Sequence, residues 1–192
     1  MLLSVLYLNS NAQNSLWLEQ GENTLIIFEF KDFKENVFNY IYTESEFKNN
    51  KTPSTYILAS RDQKWWDKNI WIHGEFRTFV GDKFLTDNIY LIGPMFEIVG
   101  GKIGFINIQT MYRYDGKSNF QVTALSDVEY KKLFYSMYID MYGTDNFYFH
   151  TENRLFIKLV NHVRIGGNVI ATLNEEKKGL KIKPMFIIRI DL

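Results

Sequence analysis

The stretch Leu180-Lys-Ile-Lys-Pro-Met-Phe-Ile-Ile-Arg-Ile-Asp-Leu192 alternates in polarity. Leu180, Ile182, Phe186, Ile188, Ile190 and Leu192 share one parity, while Lys181, Lys183, Arg189 and Asp191 share the other. Successive side chains of a strand point to opposite faces, so such a segment rests only with one face in an apolar medium and the other in a polar one. No stretch of helical period follows to cover the apolar face. The segment therefore reads as the closing strand of a β-barrel whose outer medium is lipid.

Alternating runs separated by turn residues recur upstream, at 15–20, 24–32, 37–44, 55–63, 70–77, 88–98, 102–113, 119–128, 133–142, 147–158 and 162–172. With the closing strand this predicts an all-β, transmembrane, antiparallel up-and-down barrel of about 12 strands, an even number as single-chain outer-membrane barrels have. The run at 70–77 is the clearest: Ile70, Ile72, Gly74 and Phe76 oppose Trp71, His73, Glu75 and Arg77. In the run at 37–44, Phe38, Tyr40 and Tyr42 read as the apolar, lipid-side set. Gly100-Gly101 reads as a tight hairpin. With the closing end on the periplasmic side, the periplasmic turns are short, and the outer loops include 45–54 and 78–87, the longest in the chain. This is the asymmetry of an outer-membrane barrel.

Composition excludes several function classes. Lys plus Arg and Asp plus Glu are each 22 in 192 residues, so no net basicity points to nucleic acid. Cys is absent, which removes disulfides, thiolate metal sites and Cys nucleophiles together. Aromatic content is high at 17%, from 16 Phe, 12 Tyr and 4 Trp. Tyr40, Tyr42, Tyr112 and Tyr142, near strand ends, suit a girdle at the lipid–water boundary. Alternation alone also fits a soluble sandwich or lipocalin-type barrel. Residues 1–13 read as the tail of a secretory signal, with an apolar run from Leu2 to Leu8 and a small polar exit, although a basic start is missing. The barrel is then expected over 14–192. The other reading of residues 1–13 is a first β-strand of the fold.

No phosphate loop is present, since Gly100-Gly-Lys-Ile-Gly104 lacks the spacing. His73, His150 and His162 lie on separate runs without a close His or Cys partner, which predicts no metal site. His150 and Glu152 share the polar face and no Gly-x-Ser-x-Gly elbow exists, so an enzyme is not expected. No cofactor is expected either. Two prolines, Pro94 and Pro184, fall inside expected strands, where they mark bulges or the rim. Leu192 stands where outer-membrane strands usually end in an aromatic for the barrel-assembly machinery.

The chain resembles the Tsx-like nucleoside-specific channel family of outer-membrane porins, in particular short Bacteroidota relatives. The residues that carry the resemblance are Phe28-Glu-Phe-Lys-Asp-Phe33, Phe38-Asn-Tyr-Ile-Tyr42, Leu58-Ala-Ser-Arg-Asp-Gln-Lys-Trp-Trp66, Ile72-His-Gly-Glu-Phe76 and Asn119-Phe-Gln-Val-Thr-Ala124. The resemblance implies a narrow twelve-stranded channel that passes nucleosides.

The polar face supplies the candidate lumen residues: Trp71, His73, Glu75, Arg77, Arg113, Asp140, His150, Glu152, Arg154, Arg164 and Arg189. Opposed Arg and carboxylates set a pore's field and size, and aromatic rings stack on flat bases. The expectation is an outer-membrane channel for small polar solutes, nucleosides by the resemblance. Its partners are outer-membrane lipid, the solute and the barrel-assembly machinery. A plugged structural or adhesion barrel and a soluble periplasmic ligand-binding barrel are the alternatives.

Overall fold

The computed structural model describes residues 12–21, 24–34, 36–47, 54–65, 69–80, 88–101, 104–116, 118–143, 147–174 and 179–192. Twelve strands run in chain order: β1 (Ala12–Gln20), β2 (Thr24–Lys34), β3 (Val37–Phe47), β4 (Ser54–Lys64), β5 (Ile70–Val80), β6 (Asn88–Gly101), β7 (Gly104–Tyr114), β8 (Ser118–Tyr130), β9 (Leu133–Tyr142), β10 (Tyr148–Val160), β11 (Val163–Asn174) and β12 (Gly179–Asp191). Each pairs antiparallel with the next, and β12 closes on β1 from Ser15↔Asp191 to Gln20↔Phe186. The result is a closed barrel. Within it the hydrogen-bonding groups of one strand meet those of its neighbours, as a strand surrounded by hydrocarbon requires.

The two faces have the inverse of a soluble polarity. Register places Ile92, Phe120 and Ile182 on the outside, where they are 59%, 73% and 60% exposed. Glu19, Gln121 and Asp140 point inward and are 0%, 1% and 3% exposed. Leu16, Leu18, Ile26, Tyr90, Phe96, Tyr112, Leu155, Phe186 and Ile190 extend the outer apolar band around the ring. An exposed apolar surface of this extent needs a nonaqueous partner.

The ends differ as expected. At the end that holds the start of β1 and the close of β12, the breaks between strands fall at 35–36, 65–69, 102–103, 131–132 and 161–162. At the other end they fall at 21–23, 48–53, 81–87, 115–117, 143–147 and 175–178. The expected signal segment lies outside the described residues except for Ala12 and Gln13, whose backbone opens β1. Most of the two long outer loops, 48–53 and 81–87, also lies outside them.

Three expectations change. Tyr40 and Tyr42 face the lumen, because Lys31↔Tyr40 and Glu29↔Tyr42 are in register and Tyr40 Oη donates to Glu29 Oε1 at 3.0 Å. Phe38 shares their parity. Both faces of β3 mix rings with polar groups, so alternation fixed the parity without saying which side is wet. Tyr142 also faces inward, opposite Gln121 and on the parity of Asp140; Tyr112 faces outward, 44% exposed. The hairpin expected at Gly100-Gly101 lies further on. A register shift between Glu97 and Val99 carries β6 through Gly101, and β7 begins at Gly104.

The prolines sit where a missing N–H costs little. Pro94 faces outward and pairs with Ile72 of β5, while the β6–β7 ladder passes from Ile92↔Tyr112 to Met95↔Gln109 without it. Pro184 pairs with Val169 of β11, while β1 pairs with β12 only from Phe186 onward. Its other side therefore lies beyond the end of the closing seam, the edge position that proline tolerates.

Ile92→Arg places a charge in the outer band. In liposomes it is expected to lower unfolding stability by about 2–4 kcal/mol, the cost of a lipid-facing cation near mid-strand. Denaturant titration followed by Trp emission checks this; an unchanged midpoint would mean that water wets this face.

Candidate functional site: a charged lumen

All eleven candidate residues face inward, distributed over β5, β7, β9, β10, β11 and β12. They do not converge on one site. They form three clusters at different positions in the lumen, each completed by residues that the sequence reading had not singled out.

The first cluster crosses between β5 and β9. Asp62 of β4 meets His73 Nδ1 at 2.5 Å, and His73 Nε2 meets Glu75 at 3.3 Å. Arg77 donates from Nε to Glu75 and from Nη1, across the lumen, to Asp140 Oδ2 at 2.8 Å. Asp140 also accepts from Gln121 Nε2 at 2.8 Å, from Thr123 Oγ1 and from Tyr138 Oη. Arg113 donates from Nη1 to Gln121 Oε1 at 2.9 Å, and its guanidinium lies 3.9 Å from the centre of the Tyr142 ring. Trp71 lies further along the same face of β5, buried, with Lys64 Nζ 5.9 Å above its ring.

The second cluster joins β10 to β1. Arg154 Nε donates to Glu19 Oε1 at 2.9 Å, and Nη2 pairs with Glu152. His150 meets Glu152 Oε1 at 3.0 Å and Thr172 Oγ1 at 2.9 Å. Asn168 Nδ2 completes the shell of Glu19 at 3.0 Å.

The third lies at the short-turn mouth. Arg164 and Arg189, in register on β11 and β12, both donate from Nε to Asp191, at 2.9 and 2.7 Å. Lys31 of β2 pairs with Glu29 at 3.1 Å and reaches Asp127 of β8, on the opposite wall, at 3.5 Å. Glu29, Lys31, Arg164, Arg189 and Asp191 border a vestibule of about 280 Å³.

Apolar side chains and rings fill much of the remaining interior. Trp17, Leu25, Ile27, Phe156 and Ile187 form a buried cluster on the β10–β12–β1–β2 side, and Ile89, Leu91 and Met111 form another on β6 and β7. Rings follow one wall from Phe38 through Tyr40, Tyr42 and Tyr56 to Phe79, with successive centroids 6.3, 6.4, 6.2 and 4.9 Å apart. A second series runs Tyr138, His150, Tyr148 and Tyr142.

The partners missed in the sequence are Glu19, Glu29, Lys31, Asp62, Gln121, Thr123, Asp127 and Tyr138. The signal for Glu19 was present: Ser15, Trp17 and Glu19 alternate with Leu16 and Leu18. Glu29 and Lys31 oppose Ile26, Phe28 and Phe30, and Gln121 and Thr123 oppose Phe120, Val122 and Ala124, so their polar parity was legible too; Asp62, Asp127 and Tyr138 follow only once the parity of each strand is tied to its neighbours. Among the described residues no three His, Asp or Glu side chains are arranged to hold a metal ion.

No protein-family model matches the chain, and no curated protein matches it. Among solved structures, a KdgM porin in complex with disordered oligogalacturonate is 10% identical, with a TM-score of 0.61 over 93% of this chain and 98% of that one. A second KdgM porin structure gives 10% identity and a TM-score of 0.59 over 93% and 97%. A triple mutant of the Rhodopseudomonas blastica porin is 12% identical, at a TM-score of 0.44 over 88% and 55%. The likeness to the KdgM porin is one of fold.

Removing Arg77, unlike merely opening the tie, takes the cationic partner away from both Asp140 and Glu75. Arg77→Met is expected to cost about 3–5 kcal/mol of unfolding stability, and Arg77→Met with Asp140→Leu to recover much of it, as apolar replacement of buried pairs does. A double-mutant cycle in detergent-refolded protein measures this. Additive losses would show that the two side chains do not act as a pair.

Proposed function

We propose that this chain is an outer-membrane channel for small polar solutes, with nucleosides as the solute class that its rings suit. The observation that carries the reading is the pairing of an apolar exterior with an interior of buried, cross-linked charge. Buried ion pairs contribute little to stability compared with well-packed apolar groups of the same volume. A barrel that only had to stand in the membrane has no stability reason to hold Glu19, His73, Arg77, Asp140 and Arg154 inside it. A polar path through hydrocarbon does.

The fold supports this reading, being that of a KdgM porin over nearly the whole of both chains. The rings support the finer one. A planar base or ribose passing the wall from Phe38 to Phe79 meets stacking surfaces at each step, and stacking is tolerant of base identity. The ionic clusters beside this wall and across from it offer donors and acceptors for hydroxyls. The soluble ligand-binding alternative loses its ground, because the apolar residues that would have formed its core face outward. The plugged-barrel alternative draws on the ties that cross the lumen, Arg77–Asp140 and Lys31–Asp127.

Planar-bilayer recordings separate channel from plug. Small, discrete conductances are expected, reduced when uridine is added to either side. Replacing Arg77 and Asp140 together by Ala is expected to raise single-channel conductance about twofold or more, since it removes a constriction formed by side chains. Protein that migrates as a folded, heat-modifiable barrel but passes no current at any voltage would establish the plug. Conductance that uridine leaves unchanged would retain the channel and remove the nucleoside assignment.

A further inference from the structure

We infer that the vestibule at the short-turn mouth is a binding site for a small oxyanion, a carboxylate or phosphate group, held by a fork of Arg164 and Arg189. This goes beyond the passage of neutral solutes, and the argument rests on how the two guanidiniums are held.

Arg164 and Arg189 are register partners on adjacent strands, so their side chains leave the wall side by side. One carboxylate orients both: Asp191 accepts Arg164 Nε on Oδ2 and Arg189 Nε on Oδ1. One ring supports both, with the guanidinium carbons 4.8 and 5.3 Å from the centre of Phe134. Arg189 also lies 4.5 Å from the centre of the Trp17 ring. Two arginines fixed by a shared carboxylate and a shared ring have little rotamer freedom left to lose, which is the condition for tight planar recognition of an oxyanion.

The side-chain carboxylates that line the vestibule, Glu29 and Asp191, are engaged, and the outer guanidinium edges are less so. Asp191 uses both oxygens on the two Nε donors. Glu29 accepts from Ser15 and Tyr40, each at 3.0 Å, and pairs with Lys31 at 3.1 Å. The remaining contacts of the fork are weaker. Arg164 Nη2 reaches Glu129 at 3.3 Å, a carboxylate 42% exposed to solvent, and Arg189 Nη2 stands 3.6 Å from Glu29. Among the described residues no hydrogen bond uses Nη1 of either arginine, and neither atom is among the buried unpartnered ones. Two open N–H edges, with Lys31 bordering the same space of about 280 Å³, match the donors that an oxyanion needs.

The test is calorimetric titration of the full chain, refolded in detergent micelles at low ionic strength, with inorganic phosphate and separately with sodium acetate. Saturable binding of at least one is expected; preference for phosphate assigns a phosphate-bearing solute, and preference for acetate a carboxylate. Arg164→Gln and Arg189→Gln are each expected to weaken binding about tenfold, as loss of a charge-assisted donor pair does. Lys183→Gln, which removes a cation near the opposite mouth, is expected to leave it unchanged. Arg164→Lys and Arg189→Lys keep the charge and lose the fork, so they serve if a Gln variant fails to give the heat-modifiable folded band; an intermediate loss is expected. No saturable binding of either anion by the unsubstituted protein, or an equal loss in Lys183→Gln, overturns the site. The measurement reads binding without flux, so its result stands apart from that of the conductance recordings.

Discussion

A strand gives its side chains only two directions. Once β12 has closed on β1, those directions become inside and outside, with no third choice for any residue. In this chain the carbon-rich parity goes out and the charged parity goes in. A buried charge must find a partner, and on a curved wall the nearest partners are often on another strand across the opening. Arg77 finds Asp140 from β5 to β9, Lys31 finds Asp127 from β2 to β8, and Arg154 finds Glu19 from β10 to β1. The cross-lumen ties follow from closure plus the need to pair.

Twelve strands enclose more space than their own side chains fill as readily as they fill an eight-stranded barrel. Part of the interior is nevertheless packed as a protein core, around Trp17, Ile27, Phe156 and Ile187 beside the closing seam. The two kinds of interior share residues. The Trp17 ring belongs to the apolar cluster and also lies 5.0 Å from the Arg154 guanidinium and 4.5 Å from that of Arg189. Ionic and apolar packing therefore constrain one another, and each leaves the lumen narrower than the strand count alone suggests.

The alternation of β5, β7 and β12 was legible because on those strands one parity is mostly apolar and uncharged and the other carries charge. The lumen residues on them follow directly. The same argument failed on β3, where Phe38, Tyr40 and Tyr42 face Asn39, Ile41 and Thr43 and neither side is plainly wet. Tyrosine suits a lipid boundary and a polar lumen equally well, so composition could not choose; the register with Glu29 and Lys31 could. Partner identity was out of reach for a different reason. Arg154 and Glu19 are 135 residues apart in sequence, and only the size and stagger of the ring bring them together.

The ties also differ from ordinary buried salt bridges in how they would come apart. Most of the groups that reach across the lumen hold a second partner on their own side. Arg77 keeps Glu75 when it leaves Asp140, and Asp140 keeps Gln121, Thr123 and Tyr138. Lys31 keeps Glu29, Arg154 keeps Glu152, and Glu19 keeps Asn168. Among the described residues Asp127 has no such neighbour, but it is 20% exposed, so water can serve it. The large cost of a broken buried pair comes from the charge left bare. Here separation leaves every charge with a ligand, so a tie can open for much less than a buried pair normally costs. A lumen with single partners would be locked; this one is crossed by contacts whose ends are already satisfied on the walls.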